Sequence, residues 1–143
     1  MNQPTKQPSY KPYTYEYRIK LSDTDCAGVM FFARQFEIMH AAYEDFLENS
    51  GLPLSEIISN GHIALPIVHA EATFTKPVKL GTLIRVSLQC VSTSTSSFTI
   101  GYVLSVNKTQ VGNGTTTHVA ISQSTNEKLA LPPAIMKLLD TIR

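Results

Sequence analysis

Val29-Met30-Phe31-Phe32-Ala33-Arg34-Gln35-Phe36-Glu37-Ile38-Met39-His40-Ala41-Ala42-Tyr43-Glu44-Asp45-Phe46-Leu47 is where the chain changes its period. Phe32, Phe36, Met39, Tyr43, Phe46 and Leu47 recur at helical spacing, and Arg34, Glu37, Glu44, Asp45 and Glu48 fall mostly elsewhere on the wheel. The spacing predicts a helix from about Val29 to Asn49-Ser50-Gly51, with Gly51 as the residue just past its end. At roughly twenty residues it exceeds the ~11–12 of a mean helix.

On the N-terminal side, Tyr15, Tyr17, Ile19 and Leu21 alternate with Glu16, Arg18 and Lys20, the period of a strand with one wet face. Ser22-Asp23-Thr24-Asp25-Cys26-Ala27-Gly28 breaks that alternation with turn and cap residues. On the C-terminal side a short helix follows Pro53, from Leu54 to Ile58, and stops by Gly61. Strand patterns then dominate: Ile63 to Phe74, the Ile84–Cys90 and Phe98–Val106 alternations, and the Thr-rich run Gly114 to Ser122. Pro132-Pro133 opens a last helix carrying Ile135, Leu138, Leu139 and Ile142. A strand, a long helix and then a run of strands is an α+β order, with the helix packed on an antiparallel five-stranded sheet. One helix leaves much of such a sheet uncovered; the Ser/Thr-rich strands imply that part of it is wet, and a partner subunit is expected over the rest.

The chain has 143 residues, 43% hydrophobic and 16% charged, which suits one ordinary folded domain. Twelve Lys and Arg against eleven Asp and Glu give no basic excess, so no nucleic-acid partner is expected and an anionic ligand must be held locally. No apolar run approaches the ~20 residues of a membrane span, and no membrane association is expected. Residues 1–13 read as a flexible tail rather than a signal peptide, and residues 14–143 as the domain. Cys26 and Cys90 form no C-x-x-C pair and fit a reducing, cytoplasmic setting.

The candidate chemistry lies at Asp23-Thr24-Asp25-Cys26-Ala27-Gly28-Val29. A carboxylate beside the unpaired N–H groups of a helix start suits ester or thioester hydrolysis. The N–H groups bind the developing oxyanion, and the carboxylate attacks or activates water. The local sequence alone favours a plainer reading, in which Asp23 or Asp25 is an N-cap, although the first apolar helical positions fall too far downstream for a simple one. Gly28 serves either close backbone approach to a ligand or the turn itself. Glu37-x-x-His40 has the spacing of half a di-iron motif, but there is no second copy, so no metal is expected. His69 and His118 lie on strand patterns and read as core or interface histidines; Glu37, Glu44 and Glu48 read as a solvated face, and Cys26 as a spacer. Lys76, Lys79, Arg85 and Lys108 are the cations available on the strand side for phosphates.

Asp23-Thr24-Asp25-x-Ala27-Gly28-Val29-x-Phe31 followed by a long helix resembles the opening motif of the 4-hydroxybenzoyl-CoA thioesterase class of hotdog enzymes. The resemblance implies a long central helix wrapped by a five-stranded antiparallel sheet, an acyl-CoA substrate, no cofactor, and a homodimer or homotetramer. It makes Asp25 the catalytic carboxylate and the backbone N–H of Phe32 the oxyanion donor. His40-Ala41-Ala42-Tyr43-Glu44, Ala64-Leu65-Pro66-Ile67-Val68-His69-Ala70, Pro77 with Gly81, and Leu129-Ala130-Leu131-Pro132 are similar to the cyanobacterial 1,4-dihydroxy-2-naphthoyl-CoA hydrolases of phylloquinone synthesis. On that likeness Gly28 and Phe31 are expected at the acyl pocket, and His40, Tyr43 or His69 at the ring hydroxyls. Two other classes compete. A hotdog hydratase would need a His near the helix start, and none occurs from Val29 to Met39; a non-catalytic acyl-CoA-binding module would have no use for the carboxylate.

Overall fold

The computed structural model describes residues 12–59 and 62–143. Strand β1 (Tyr13–Arg18) leads through a 3-10 turn (Leu21–Asp23) to helix α1 (Arg34–Asn49) and the short helix α2 (Leu54–Ser59). There follow β2 (Ile63–Ala64), β3 (Ile67–Phe74), β4 (Leu83–Thr93), β5 (Ser97–Val106), β6 (Thr109–Val119), β7 (Ile121–Ser122) and helix α3 (Pro133–Asp140). The main sheet is antiparallel, five strands in the order β1-β4-β5-β6-β3, and the small pair β2-β7 stands apart. Helix α1 lies on its inner face, burying Ile38, Met39, Ala42, Tyr43, Phe46 and Leu47 against Ile84, Val86, Leu88, Phe98, Ile100 and Leu104. This is the hotdog arrangement.

Several boundaries differ from the sequence reading. The helix starts at Arg34, not near Val29, because Val29 and Met30 are spent on strand-like bridges to Lys79 and Thr24. Its end is as expected: Gly51 has φ +79°, and the N–H groups of Gly51 and Leu52 donate to the carbonyls of Glu48 and Leu47, satisfying two orphan acceptors. Leu21 does not continue β1 inward but sits 75% exposed in the 3-10 turn. Tyr13, assigned to the tail, already pairs with Leu88 in β1; residues 1–11 and Gly61 lie outside the described residues. The single strand expected from Ile63 to Phe74 is broken at Leu65-Pro66, and Ile142 follows α3 rather than belonging to it.

Two glycines let α1 approach the sheet. A Cβ on Gly112 would lie 2.6 Å from Gln35 Oε1, and one on Gly114 would lie 2.5 Å from the Glu71 carbonyl oxygen and 2.7 Å from Met39 Cε. Gln35, a polar residue on the buried face, fills the first of these spaces and donates to the carbonyls of Asn113 (3.0 Å) and Thr73 (3.2 Å). The outer face carries mainly Thr, Ser, Glu, Arg and Gln, with Leu83, Val91 and Val103 as exposed apolar residues among them. Further exposed apolar residues are Ile67, Val68 and Phe74 on the edge strand β3 and Phe31 and Phe32 before α1.

His118 is fully buried in the core, as its strand position suggested. Its ring stacks on Phe98 at 4.8 Å and lies 4.5 Å from Tyr43. Nε2 lies 2.9 Å from Thr116 Oγ1, which also meets the Tyr102 hydroxyl at 2.9 Å; Nδ1 faces the Leu65 carbonyl at 3.5 Å. Burial pushes its pKa down to about 4, against the smaller upward pull of the Leu65 carbonyl. The unfolded chain takes up this proton below about 6.5, while the fold refuses it until about 4. The stabilising preference is therefore intact above 6.5, declines by about 1.4 kcal/mol per pH unit as pH falls through that window, and is gone below 4. Urea unfolding at a series of pH values should show a steeper acid loss for the wild type than for His118→Gln; parallel slopes would refute a neutral buried imidazole.

Candidate active site

The segment between β1 and α1 folds back on itself. Thr24 and Met30 form an antiparallel bridge, the Asp25 N–H donates to the Val29 carbonyl at 3.0 Å, and the Gly28 N–H donates to the Asp25 carbonyl at 3.0 Å. Gly28 sits at φ +77° with nothing within 4 Å of a would-be Cβ, so its part here is the turn and not a close approach within the chain. The loop is tied to the sheet through the Met30 N–H to the Val78 carbonyl at 2.7 Å.

The two carboxylates divide sharply. Asp23 is 5% exposed; its Oδ2 accepts from the Tyr17 hydroxyl and from the Lys20 N–H, both at 2.8 Å, and its carbonyl accepts from the Phe31 N–H at 2.8 Å. Desolvation, then the bond to Asp23, pushes the Tyr17 hydroxyl up to about 12. Asp25 is exposed, and among the described residues only its Oδ1 is engaged, by the Ala27 N–H at 2.9 Å. Neither caps α1: the cap position is Ala33, which offers no side-chain acceptor.

The chain then enters the helix through a tightening turn in which the carbonyls of Phe31, Phe32 and Ala33 accept from Arg34, Gln35 and Phe36. The N–H groups of Phe32 and Ala33 donate to no acceptor among the described residues. Phe32 itself is 57% exposed and so is not part of the buried helical stripe. Its ring packs edge-on to Phe31 and Phe74.

Two cavities run along this side. One, of about 200 Å³, is bordered by Met30, Phe32, Gln35, Phe74, Lys76 and Val78. The other, of about 420 Å³, lies between α1 and β3 and is lined by Phe36, His40, Ala41, Ile67, Ala70 and Thr116, with Glu37 and Glu44 at its rim. His40 Nε2 lies 3.1 Å from Glu44 Oε1, while its Nδ1 is buried without a partner. If Nε2 carries the proton toward Glu44, Nδ1 is left as an acceptor. Asp25 lines neither cavity in the single chain.

The remaining expected site residues separate. Tyr43 is a core residue, 2% exposed, and lines neither cavity, although its hydroxyl has no partner. His69 pairs with Thr117 on the outer face, opposite Ala70 and the larger cavity, and meets Glu71 at 3.4 Å. Among the described residues no group of three or more His, Cys, Asp and Glu is placed to hold a metal ion. The sequence reading missed Gln35, which pins the first turn of α1 to β3 and β6. The signal was the pair Gly112 and Gly114 inside a strand pattern, which marks a close approach.

Residues 19–139 match the family model described as the thioesterase-like superfamily. A 1,4-dihydroxy-2-naphthoyl-CoA hydrolase from Nostoc punctiforme is 37% identical over 131 residues, covering 92% of this chain and 88% of that protein. One from Rippkaea orientalis is 36% identical over 128 residues, covering 87% and 93%. The crystal structure of a 1,4-dihydroxy-2-naphthoyl-CoA thioesterase from Synechocystis superposes with TM-score 0.87 at 33% identity, covering 91% of this chain and 96% of that one.

The anchoring part played by Asp23 has a direct consequence for stability. Asp23→Ala leaves the Tyr17 hydroxyl and the Lys20 N–H without their acceptor and should cost about 1–3 kcal/mol. Tyr17→Phe, which removes only one of the two donors, should cost less. Denaturant unfolding of both variants measures the order, and a reversed order would show that Asp23 is not the hub of the loop.

Proposed function

This chain belongs to the thioesterase-like superfamily, and we propose that it hydrolyses 1,4-dihydroxy-2-naphthoyl-CoA to 1,4-dihydroxy-2-naphthoate and coenzyme A, a step of phylloquinone synthesis. One observation carries the reading. An exposed carboxylate, Asp25, is bonded through its own backbone to Val29, and the same short loop ends at a Phe32 N–H that has no acceptor among the described residues. In the proposed reaction the thioester carbonyl oxygen takes the Phe32 N–H, which would stabilise the negative charge that develops there. Asp25, with Oδ2 free, attacks the carbonyl carbon or takes the proton of an attacking water. The thiol leaves readily, since its pKa is only about 8.5.

The larger cavity supports an aromatic acyl group. Its walls are mainly apolar, and with the Nε2 proton directed to Glu44 the buried Nδ1 of His40, a lining residue, would accept from a ring hydroxyl. Phe31 and Phe32 lie at the approach to the helix start. No helix among the described residues is long and apolar enough to cross a membrane, and we place the activity in the cytoplasm.

We further propose that the active form is a homodimer or a pair of dimers. Among the described residues strand β3 is bonded only to β6, so its other side presents unpaired backbone groups, flanked by the exposed Ile67 and Val68. A second copy added at that edge would cover them, and we propose that it supplies the Asp25 that the cavity lacks in the single chain. Sedimentation should give a species of at least twice the chain's 15.8 kDa, and a stable monomer would remove the shared site.

Thiol release from a panel of CoA esters tests the chemistry. Asp25→Asn should lower kcat by about 10²–10⁴ with the fold intact, and Asp23→Asn should do much less. The naphthoyl ester should exceed hexanoyl-CoA in kcat/KM by at least about tenfold, the scale of stacked-ring contacts, and His40→Phe should erode the preference for the hydroxylated ring. A normal rate in Asp25→Asn would end the assignment of the carboxylate, and a faster aliphatic ester would end that of the substrate.

A further inference from the structure

Of the four cations that the sequence offers for phosphate, the fold separates two from the rest. Arg85 is paired with Glu16 at 3.0 Å on the outer face, and Lys108 sits in the turn between β5 and β6; both line a cavity that shares no residue with the one beside Phe32. Lys76 and Lys79 stand differently. The N–H groups of Thr75 and Lys76 both donate to the Val111 carbonyl, at 2.9 and 3.1 Å, and Lys79 is bridged to Val29 of the Asp25 loop. The backbone of residues 75–79 is therefore fixed to β6 on one side and to the catalytic loop on the other. Neither lysine forms an ion pair among the described residues, whereas Arg34, Arg85 and Arg143 each do.

The strip Lys76-Pro77-Val78 is also the wall between two cavities. On one side is the cavity of about 200 Å³ bordered by Phe32. On the other is a cavity of about 300 Å³ lined further by Lys79, Thr82 and Thr109. A substrate whose thioester meets the Phe32 N–H would thus have a route over Lys76 into a second hollow lined by Lys76, Lys79, Thr82 and Thr109. With a net charge of +1 the chain has no global field to attract an anion, so such a local pair is the means of holding one.

We propose that Lys76 and Lys79 bind the phosphate groups of the leaving coenzyme, with the pantetheine arm crossing the Lys76-Pro77-Val78 strip. The proposal rests on the thioesterase reading and deepens it, since it assigns the nucleotide end of the substrate. The lysines act as point charges on the phosphates, contribute to binding in ground and transition state alike, and so bear on KM rather than on kcat.

The test uses the full chain with Lys76→Ala, Lys79→Ala, the double variant, and Arg85→Ala as the control. Each is assayed on an aromatic acyl-CoA, the matching acyl-dephospho-CoA and the matching acyl-pantetheine, and binding of free coenzyme A is followed by calorimetry. Each lysine substitution should raise KM for the CoA ester about tenfold and weaken coenzyme A binding to match, the scale of a charge-assisted contact, with kcat held within about twofold. The acyl-pantetheine should be indifferent to the lysines. An effect that persists on the dephospho ester assigns them to the diphosphate, and one that vanishes there assigns them to the 3′-phosphate; either supports the site. An unchanged KM in the double variant, an equal rise on acyl-pantetheine, or the same rise in Arg85→Ala overturns it. If the wild type neither cleaves the CoA ester nor binds coenzyme A, the thioesterase reading falls too; if it cleaves normally and the double variant matches it, only the lysine site falls.

Discussion

Gly112 and Gly114 face α1 from β6, and the volume their missing side chains would need is already occupied by Gln35 and Met39. That close approach sets the depth of the helix in the sheet. A Cβ at Gly114 would strike the Glu71 backbone as well as Met39, so β3 and α1 would both have to move. Once α1 is seated, Gln35 can reach the carbonyls of Thr73 and Asn113 across the β3–β6 pair. The position of the first helical turn, and with it that of the Phe32 N–H, follows from this contact.

The other end of the same loop is fixed by a different device. Asp23 brings Tyr17 of β1, Lys20 and, through its carbonyl, Phe31 to one buried point. A carboxylate buried in this way, with two donors on one oxygen, is poorly placed to attack or to carry a proton. Asp25, two residues on, spends one oxygen on the Ala27 N–H and keeps the other. The two acids therefore differ in setting: the first is buried and ties the loop together, and the second is exposed on a backbone ordered from both sides, as the proposed chemistry would require.

The helix, the strand alternations and the α+β order were legible because each rests on a period that burial enforces. The stripe from Met39 to Leu47 is buried as its spacing implies, and Gly51 ends the helix with the positive φ its position called for. The start of the helix was not legible. Val29, Met30, Phe31 and Phe32 are as apolar as a helical stripe, and only tertiary pairing with Lys79, Thr24 and Val78 keeps the first two extended. Gln35 was invisible to a search for apolar periodicity because it is polar and buried. His69 was misjudged for another reason: the register shift between Ile67 and His69 in β3 turns it to the face opposite the larger cavity, and no local feature announces a bulge.

Part of the exposed apolar surface coincides with the candidate substrate surface. Phe31, Phe32 and Phe74 crowd the helix start, Ile67 and Val68 lie along the open edge of β3, and the larger cavity opens between that edge and α1. The outer face of the sheet is mainly polar, with Leu83, Val91 and Val103 exposed on it. A chain that leaves its stickiest residues around its own pocket gains little as a monomer, since the pocket is half-walled and the edge invites pairing. Closing the edge with a second copy would bury the aliphatic residues and complete the wall in one event. Assembly and binding would then draw on the same surface, so that a substitution at Ile67, which lines the pocket, would act on substrate affinity through the dimer as well as directly, and one at Val68 through the dimer.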